Sequence, residues 1–92
     1  MAYNRVYNDV TKQVLYSTRE GLGDAIDWMM ARAIELAAYG EDNVVTEEVQ
    51  EDGEVTGWWT IGDIFDCNSD GWELPDGTLV KRGDDNAETS NV

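Results

Sequence analysis

Histidine is absent from these 92 residues, which removes the commonest general base, the commonest zinc ligand and the usual partner of a nucleophile. Most hydrolase constellations are thereby excluded. Two carboxylates could still form a glycosidase-like pair, but such a pair needs a deep cleft that a domain this small rarely provides. A single cysteine, Cys67, rules out an intramolecular disulfide and cysteine-type metal clusters, and fits a reduced cytosolic setting. No basic segment followed by an apolar core opens the chain, and the longest apolar run is far short of a membrane span. The expectation is a cytoplasmic protein that does not engage membranes. Gly21 and Gly23 precede a helical pattern, but a lone GxG with no following lysine or third glycine is no phosphate loop. No cofactor is expected.

Basic residues are also scarce. Six Lys and Arg stand against twenty Asp and Glu, for a formal charge of −14. Between Arg32 and Lys81 there is no base at all, while acids recur throughout that gap. Local ion pairing cannot neutralise such a field, which favours solubility and fast encounter with basic surfaces. Acidity that merely maintains solubility is the simpler reading of the same charge. Apolar residues still reach 41% and include four Trp and four Tyr, so the chain can bury a core where an acidic tail could not. Its length suits one domain, placed at residues 1–82, with 83–92 as a flexible polar tail.

Val6, Val10, Val14, Leu15 and Tyr16 among polar neighbours predict a first strand over Tyr3–Tyr16, running into Ser17. Ser17 and Glu20 have the spacing of a capping box, but Gly21 and Gly23 delay the regular helix to about Asp24. Leu22, Ala25, Ile26, Met29, Met30, Ala33, Leu36 and Ala37 then share one helical face, and Gly40 stops the helix after Tyr39. Beyond it the period changes to two. Val44–Gln50 and Glu54–Ile61 form a hairpin around Glu51-Asp52-Gly53, a turn at 68–71 leads into Trp72–Leu74, and Pro75-Asp76-Gly77 leads into Thr78–Arg82. The fold class is α+β: one amphipathic helix on a twisted antiparallel sheet of four to five strands, in the order β-α-β-β-β-β. One sheet face is left to water or a partner. Trp58 and Trp59, being adjacent, must point to opposite faces.

Two segments carry candidate chemistry. Asp66, Asn68 and Asp70, followed by Gly71, reproduce the first half of a calcium loop, with oxygen ligands at alternate positions. The position reserved for a bidentate Glu holds Gly77 and no helix pattern follows, so a tight turn accounts for the same residues. In the hairpin, Glu47, Glu48, Glu51, Asp52 and Glu54 can be an edge that discourages sheet pairing. They can also be carboxylates in rows about 6.6 Å apart along a strand, resembling nucleic-acid phosphates to a basic groove. Trp28, beside the apolar stripe, and Trp58 are candidate anchors for such a contact, with ordinary packing as the alternative for each.

A short acidic α+β chain with no catalytic kit, an acid-rich hairpin and surplus aromatics resembles the small phage-encoded inhibitors of bacterial defence, the anti-CRISPR and antirestriction proteins. The resemblance is one of character over residues 1–82 and rests on no shared motif. It implies a host-defence inhibitor acting by nucleic-acid mimicry, which occupies a nucleic-acid-binding groove and excludes DNA without binding nucleic acid itself. A type I CRISPR surveillance complex is the first expectation for its partner. The rival expectations are a calcium-binding module built on 66–71 and a plain protein-interaction domain.

Overall fold

The structure, a computed structural model, describes residues 2–82; the tail expected at 83–92 lies outside the described residues. Strands β1 (Tyr3–Asn8) and β2 (Gln13–Thr18) are followed by helices α1 (Leu22–Ala31) and α2 (Ala33–Leu36), a 3-10 turn at Ala37–Tyr39, and strands β3 (Val44–Val49) and β4 (Val55–Thr60). Helix α3 (Ile61–Cys67) and strands β5 (Trp72–Glu73) and β6 (Leu79–Val80) complete the chain. The main sheet is antiparallel in the order β2-β1-β3-β4, and β5 and β6 pair separately as a small ribbon. The α+β class and the helix-covered sheet stand as expected; the element order does not.

The segment expected as one strand over Tyr3–Tyr16 is two strands joined by a turn. The Asn8 side chain causes this: its Oδ1 accepts from the amides of Val10 and Thr11 at 2.9 and 3.2 Å, the local bonding by which Asn reverses a chain. Lys12 closes the turn in the left-handed region at φ 65°. Val10 had suggested continuity, yet it is exposed. In β1 the alternation holds, with Asn4, Val6 and Asn8 buried and their neighbours less so.

The helix expected to run unbroken to Tyr39 divides at Arg32. In a continuous helix the Arg32 amide would bond the Trp28 carbonyl. Here that carbonyl accepts from the Arg32 guanidinium at 3.0 Å, and the amide turns to Met29 O at 3.1 Å. The buried stripe nonetheless continues through the break, from Ala25, Ile26, Met29 and Met30 to Ala33 and Leu36. Ser17 is part of β2, so its spacing to Glu20 caps no helix; α1 starts at Leu22, ahead of the expected Asp24, directly after Gly21 and with no side-chain cap. A capping box occurs instead at α3, where the Asp63 amide donates to Thr60 Oγ1 and the Thr60 amide donates to Asp63 Oδ2. Ile61, Ile64 and Phe65 then face the core at helical spacing. This helix replaces what the sequence suggested was the end of a strand and the start of a loop.

Against the helix-covered face, Val6, Met29, Met30, Val44 and Ile61 are fully enclosed, with Thr46 donating its hydroxyl to Met29 Sδ at 3.4 Å. α3 approaches the 41–42 turn so closely that a Cβ on Gly62 would meet Asp42 Oδ1 at 2.9 Å. Arg82 fastens the same corner, binding Glu41 through two nitrogens and Asp66 through a third. No helix among the described residues is long and apolar enough to cross a membrane.

Candidate functional site

The register of the sheet decides which side chains meet. Arg5 lies opposite Glu47, and Glu47 opposite Trp58, so these three form one row across β1, β3 and β4. Tyr7, Val45 and Thr60 form the next. Both rows lie on the face away from the helices, because the intervening residues Val6, Thr46 and Trp59 belong to the core or pack on it. On this open face Arg5 donates from Nε to Glu47 Oε1 at 2.8 Å and its guanidinium sits 5.3 Å from the centre of the Tyr7 ring. Trp58 stands beside them with 63% of its surface exposed. The split of Trp58 and Trp59 between faces is therefore as the sequence required.

The five hairpin acids do not form one row. Glu47 is half-buried and paired with Arg5, so little of its charge reaches outward. Glu48 lies on the opposite, helix-covered side, facing Asn4 and Gly57. Adjacent residues on a strand must diverge in this way. Glu51, Asp52 and Glu54 do gather, at the exposed tip of the β3-β4 hairpin, where Asp52 Oδ1 accepts from the Glu54 amide and Gly53 takes φ 91°. The compact acidic feature is this tip, with Trp58 on the open face of the same hairpin. Trp28 cannot join them. It sits on α1, across the sheet, half-buried and stacked on Tyr16 with ring centres 5.0 Å apart, with Arg32 4.0 Å over it.

No family model, curated protein or solved structure matches the chain. The residues must therefore speak through their own geometry.

The turn expected to offer calcium ligands spends them otherwise. Asp66 belongs to α3 and binds Arg82 at 2.9 Å; Asn68 ends that helix and donates its amide to Ile64 O; Asp70 is exposed in the turn that follows. α3 runs through Cys67, so the first two positions of the supposed loop, Asp66 and Cys67, are helical, which alternating loop ligands do not allow. Cys67 itself is exposed and fills no core space. Among the described residues no three acidic or cysteine side chains gather to hold a metal ion.

A concave feature on the helix side was not anticipated from sequence. Tyr16 donates its hydroxyl to Asp24 Oδ2 at 2.7 Å, and Trp72 donates from Nε1 to Asp27 Oδ1 at 2.7 Å, which ties the β5-β6 ribbon to α1. Between the Tyr16-Trp28 stack and the 74–76 turn lies a groove of about 330 Å³. Only pairing across 45 residues of chain builds it. The Tyr16 bond holds the Asp24 carboxyl below its ordinary 3.8, with Thr18 assisting, and the same bond raises the Tyr16 hydroxyl above 10.0. A depressed Asp24 contributes stability above pH 3.8 that is lost as pH falls through its folded value. A raised Tyr16 contributes below pH 10.0 and is lost as pH rises through its folded value. The melting-temperature margin of the wild type over Tyr16→Phe is thus expected to be widest between those limits and to shrink beyond both. A margin that stays constant across the range would contradict it.

Proposed function

We propose that this chain is a non-catalytic acidic inhibitor that binds a basic, nucleic-acid-binding protein and blocks access of the nucleic acid. The observation that carries this reading is the base-free acidic stretch from residue 33 to 80, which holds an exposed acidic hairpin tip at 51–54 and, on the same hairpin, an exposed Trp58. Charge of this density steers encounter with a basic groove, and a rigid exposed aromatic supplies the contact that charge alone does not. Only the tip trio Glu51, Asp52 and Glu54 acts as a cluster. Glu47 serves the open face through Arg5, and the field of the remaining acids is spread around the domain. The resemblance to phage-encoded inhibitors of bacterial defence narrows the target to a defence complex in a bacterial cytoplasm, an anti-CRISPR role against a type I surveillance complex first among them.

Reversing the tip with Glu51→Lys, Asp52→Lys and Glu54→Lys tests this. The partner is captured from bacterial lysate with the wild-type chain at low salt, and association is then measured for both forms. The reversed chain is expected to associate at least about tenfold more slowly at low salt, with the difference shrinking as salt rises. Equal rates, or a captured partner with no positively charged cleft, would reject the reading.

A further inference from the structure

The charged side chains in the four strands of the main sheet are Arg5, Glu47 and Glu48, and Glu48 turns toward the helices. The open face therefore holds one base and one acid, bonded to each other and half-buried. On either side of that pair, Val14, Tyr7 and Val45 form one row and Tyr3, Val49 and Val55 another. Trp58 stands in the row between them, at the β4 edge. An antiparallel sheet with one face in water normally keeps that face polar; here both faces are largely apolar. Val49 is 3% exposed yet stands apart from the helix-side core, so the open face already holds the start of a second apolar layer. Val14 and Trp58, at 49% and 63% exposed, are the uncovered part of it.

Size, backbone chemistry and charge select what covers it. Four strands of six residues each, about 4.8 Å apart and rising about 3.3 Å per residue, span a flat area of roughly 400 Å². Each partner in a standard stable interface contributes about 800 Å². Two copies, each at −14, would meet here with too little area and against like-charge repulsion. One helix about 10–12 Å wide and about four turns long fits the face. An extended segment does not: the strands direct their amides and carbonyls sideways to one another, so a strand laid flat on them would leave its own backbone unpaired. A helix bonds internally, and the chain covers the other face of the same sheet in this way with α1. The acidic tip of Glu51, Asp52 and Glu54 follows Val49 and precedes Val55, so it stands at the end of the Tyr3 row and favours Lys or Arg there. Arg5 and Glu47, paired with each other, leave no uncompensated charge beneath an apolar stripe.

We propose that the open face of the sheet receives one amphipathic α-helix of the basic partner. Its apolar stripe lies over Tyr7, Val45 and Trp58, and its lysines or arginines reach Glu51, Asp52 and Glu54. This rests on the reading of the chain as a ligand of a basic protein and deepens it by naming the element that docks.

The probe is a labelled synthetic peptide about 14 residues long, with leucines at i, i+3, i+4 and i+7 spacing and lysines on the remaining face. It is titrated into the full chain at physiological salt while anisotropy and the tryptophan indole N–H signals are followed. Binding is expected to saturate, with the Trp58 signal shifting and those of Trp28 and Trp72 staying in place. A peptide of the same composition, reordered so that no leucine stripe forms, is expected to bind at least about tenfold more weakly. The Trp58→Glu chain is expected to bind the striped peptide at least about tenfold more weakly as well. The sign of that effect is decisive, because attraction by net charge alone would make the added carboxylate tighten binding of a basic peptide. Should Trp58→Glu fold poorly, Val14→Glu, at an exposed position on the same face, provides the same comparison. The proposal is overturned if the reordered peptide binds equally, or if the folded Glu variant binds as tightly as the wild type or more so. Failure here with a sensitive hairpin tip removes the helix from the open face and leaves the inhibitor reading intact; a peptide that binds the face while tip reversal has no effect on the captured partner does the opposite.

Discussion

Met29→Ala is expected to lower the unfolding free energy by about 2–5 kcal/mol, the range for emptying a fully buried large side chain. A domain of this size holds only about 5–15 kcal/mol in total, so urea unfolding should show a large loss. For 60–100 residues each kcal/mol moves the melting temperature by about 4–8 °C, which predicts a fall of at least about 8 °C. The argument is specific to this position. Met29 has no exposed surface, lies where α1 crosses the sheet, and accepts the hydroxyl of the equally buried Thr46. Truncation therefore opens a cavity and also strips a buried hydroxyl of this partner. Met29→Leu keeps the volume and removes only the sulfur, so its smaller cost separates the two effects. A melting temperature unchanged in Met29→Ala would mean that the helix does not seal the sheet as described.

Trp58→Ala is expected to do the reverse: to leave stability nearly unchanged and to damage binding. With most of its surface exposed, Trp58 contributes little burial to the fold. Its neighbours in the row, Arg5 and Glu47, are held by their own bond and do not depend on it. If the open face docks on the partner, an aromatic anchor on its β4 edge is worth at least about 2 kcal/mol, or roughly 30-fold in affinity, appearing mainly as faster dissociation. Reversal of the hairpin tip acts instead on association. The pair of variants thus divides steering from anchoring, and unaltered dissociation in a folded Trp58→Ala would remove the open face from the interface.

What could be read from sequence followed the periods. The apolar stripe from Ala25 to Leu36, the β3-β4 hairpin and the turn around Pro75 were all legible because local spacing and turn chemistry decide them. Three features were not. The reversal after Asn8 depends on one side chain bonding two amides, which the apolar Val10 conceals. The α1-α2 break depends on a guanidinium competing for a helix carbonyl, an event with no periodic signature. α3 did have one, since Thr60 and Asp63 stand at capping-box spacing before Ile61, Ile64 and Phe65; the preceding run Val55–Thr60 drew Ile61 into the strand instead.

The site was less legible than the fold for a related reason. Composition revealed the charge, and adjacency placed Trp58 and Trp59 on opposite faces. Register, however, is set by pairing between strands distant in sequence. It put Glu47 against Arg5, turned Glu48 toward the helices, and left Glu51, Asp52 and Glu54 together. The groove at Tyr16 and Trp28 arises from a contact between α1 and a ribbon that no local pattern links.

Displacement tests the central claim most directly. The captured partner is loaded with fluorescently labelled nucleic acid, and the chain is added in increments while release is followed. The account predicts release complete at one chain per binding site, weakened by salt, with both proteins recovered unmodified. Nucleic acid that remains bound while the chain occupies the same partner would contradict it.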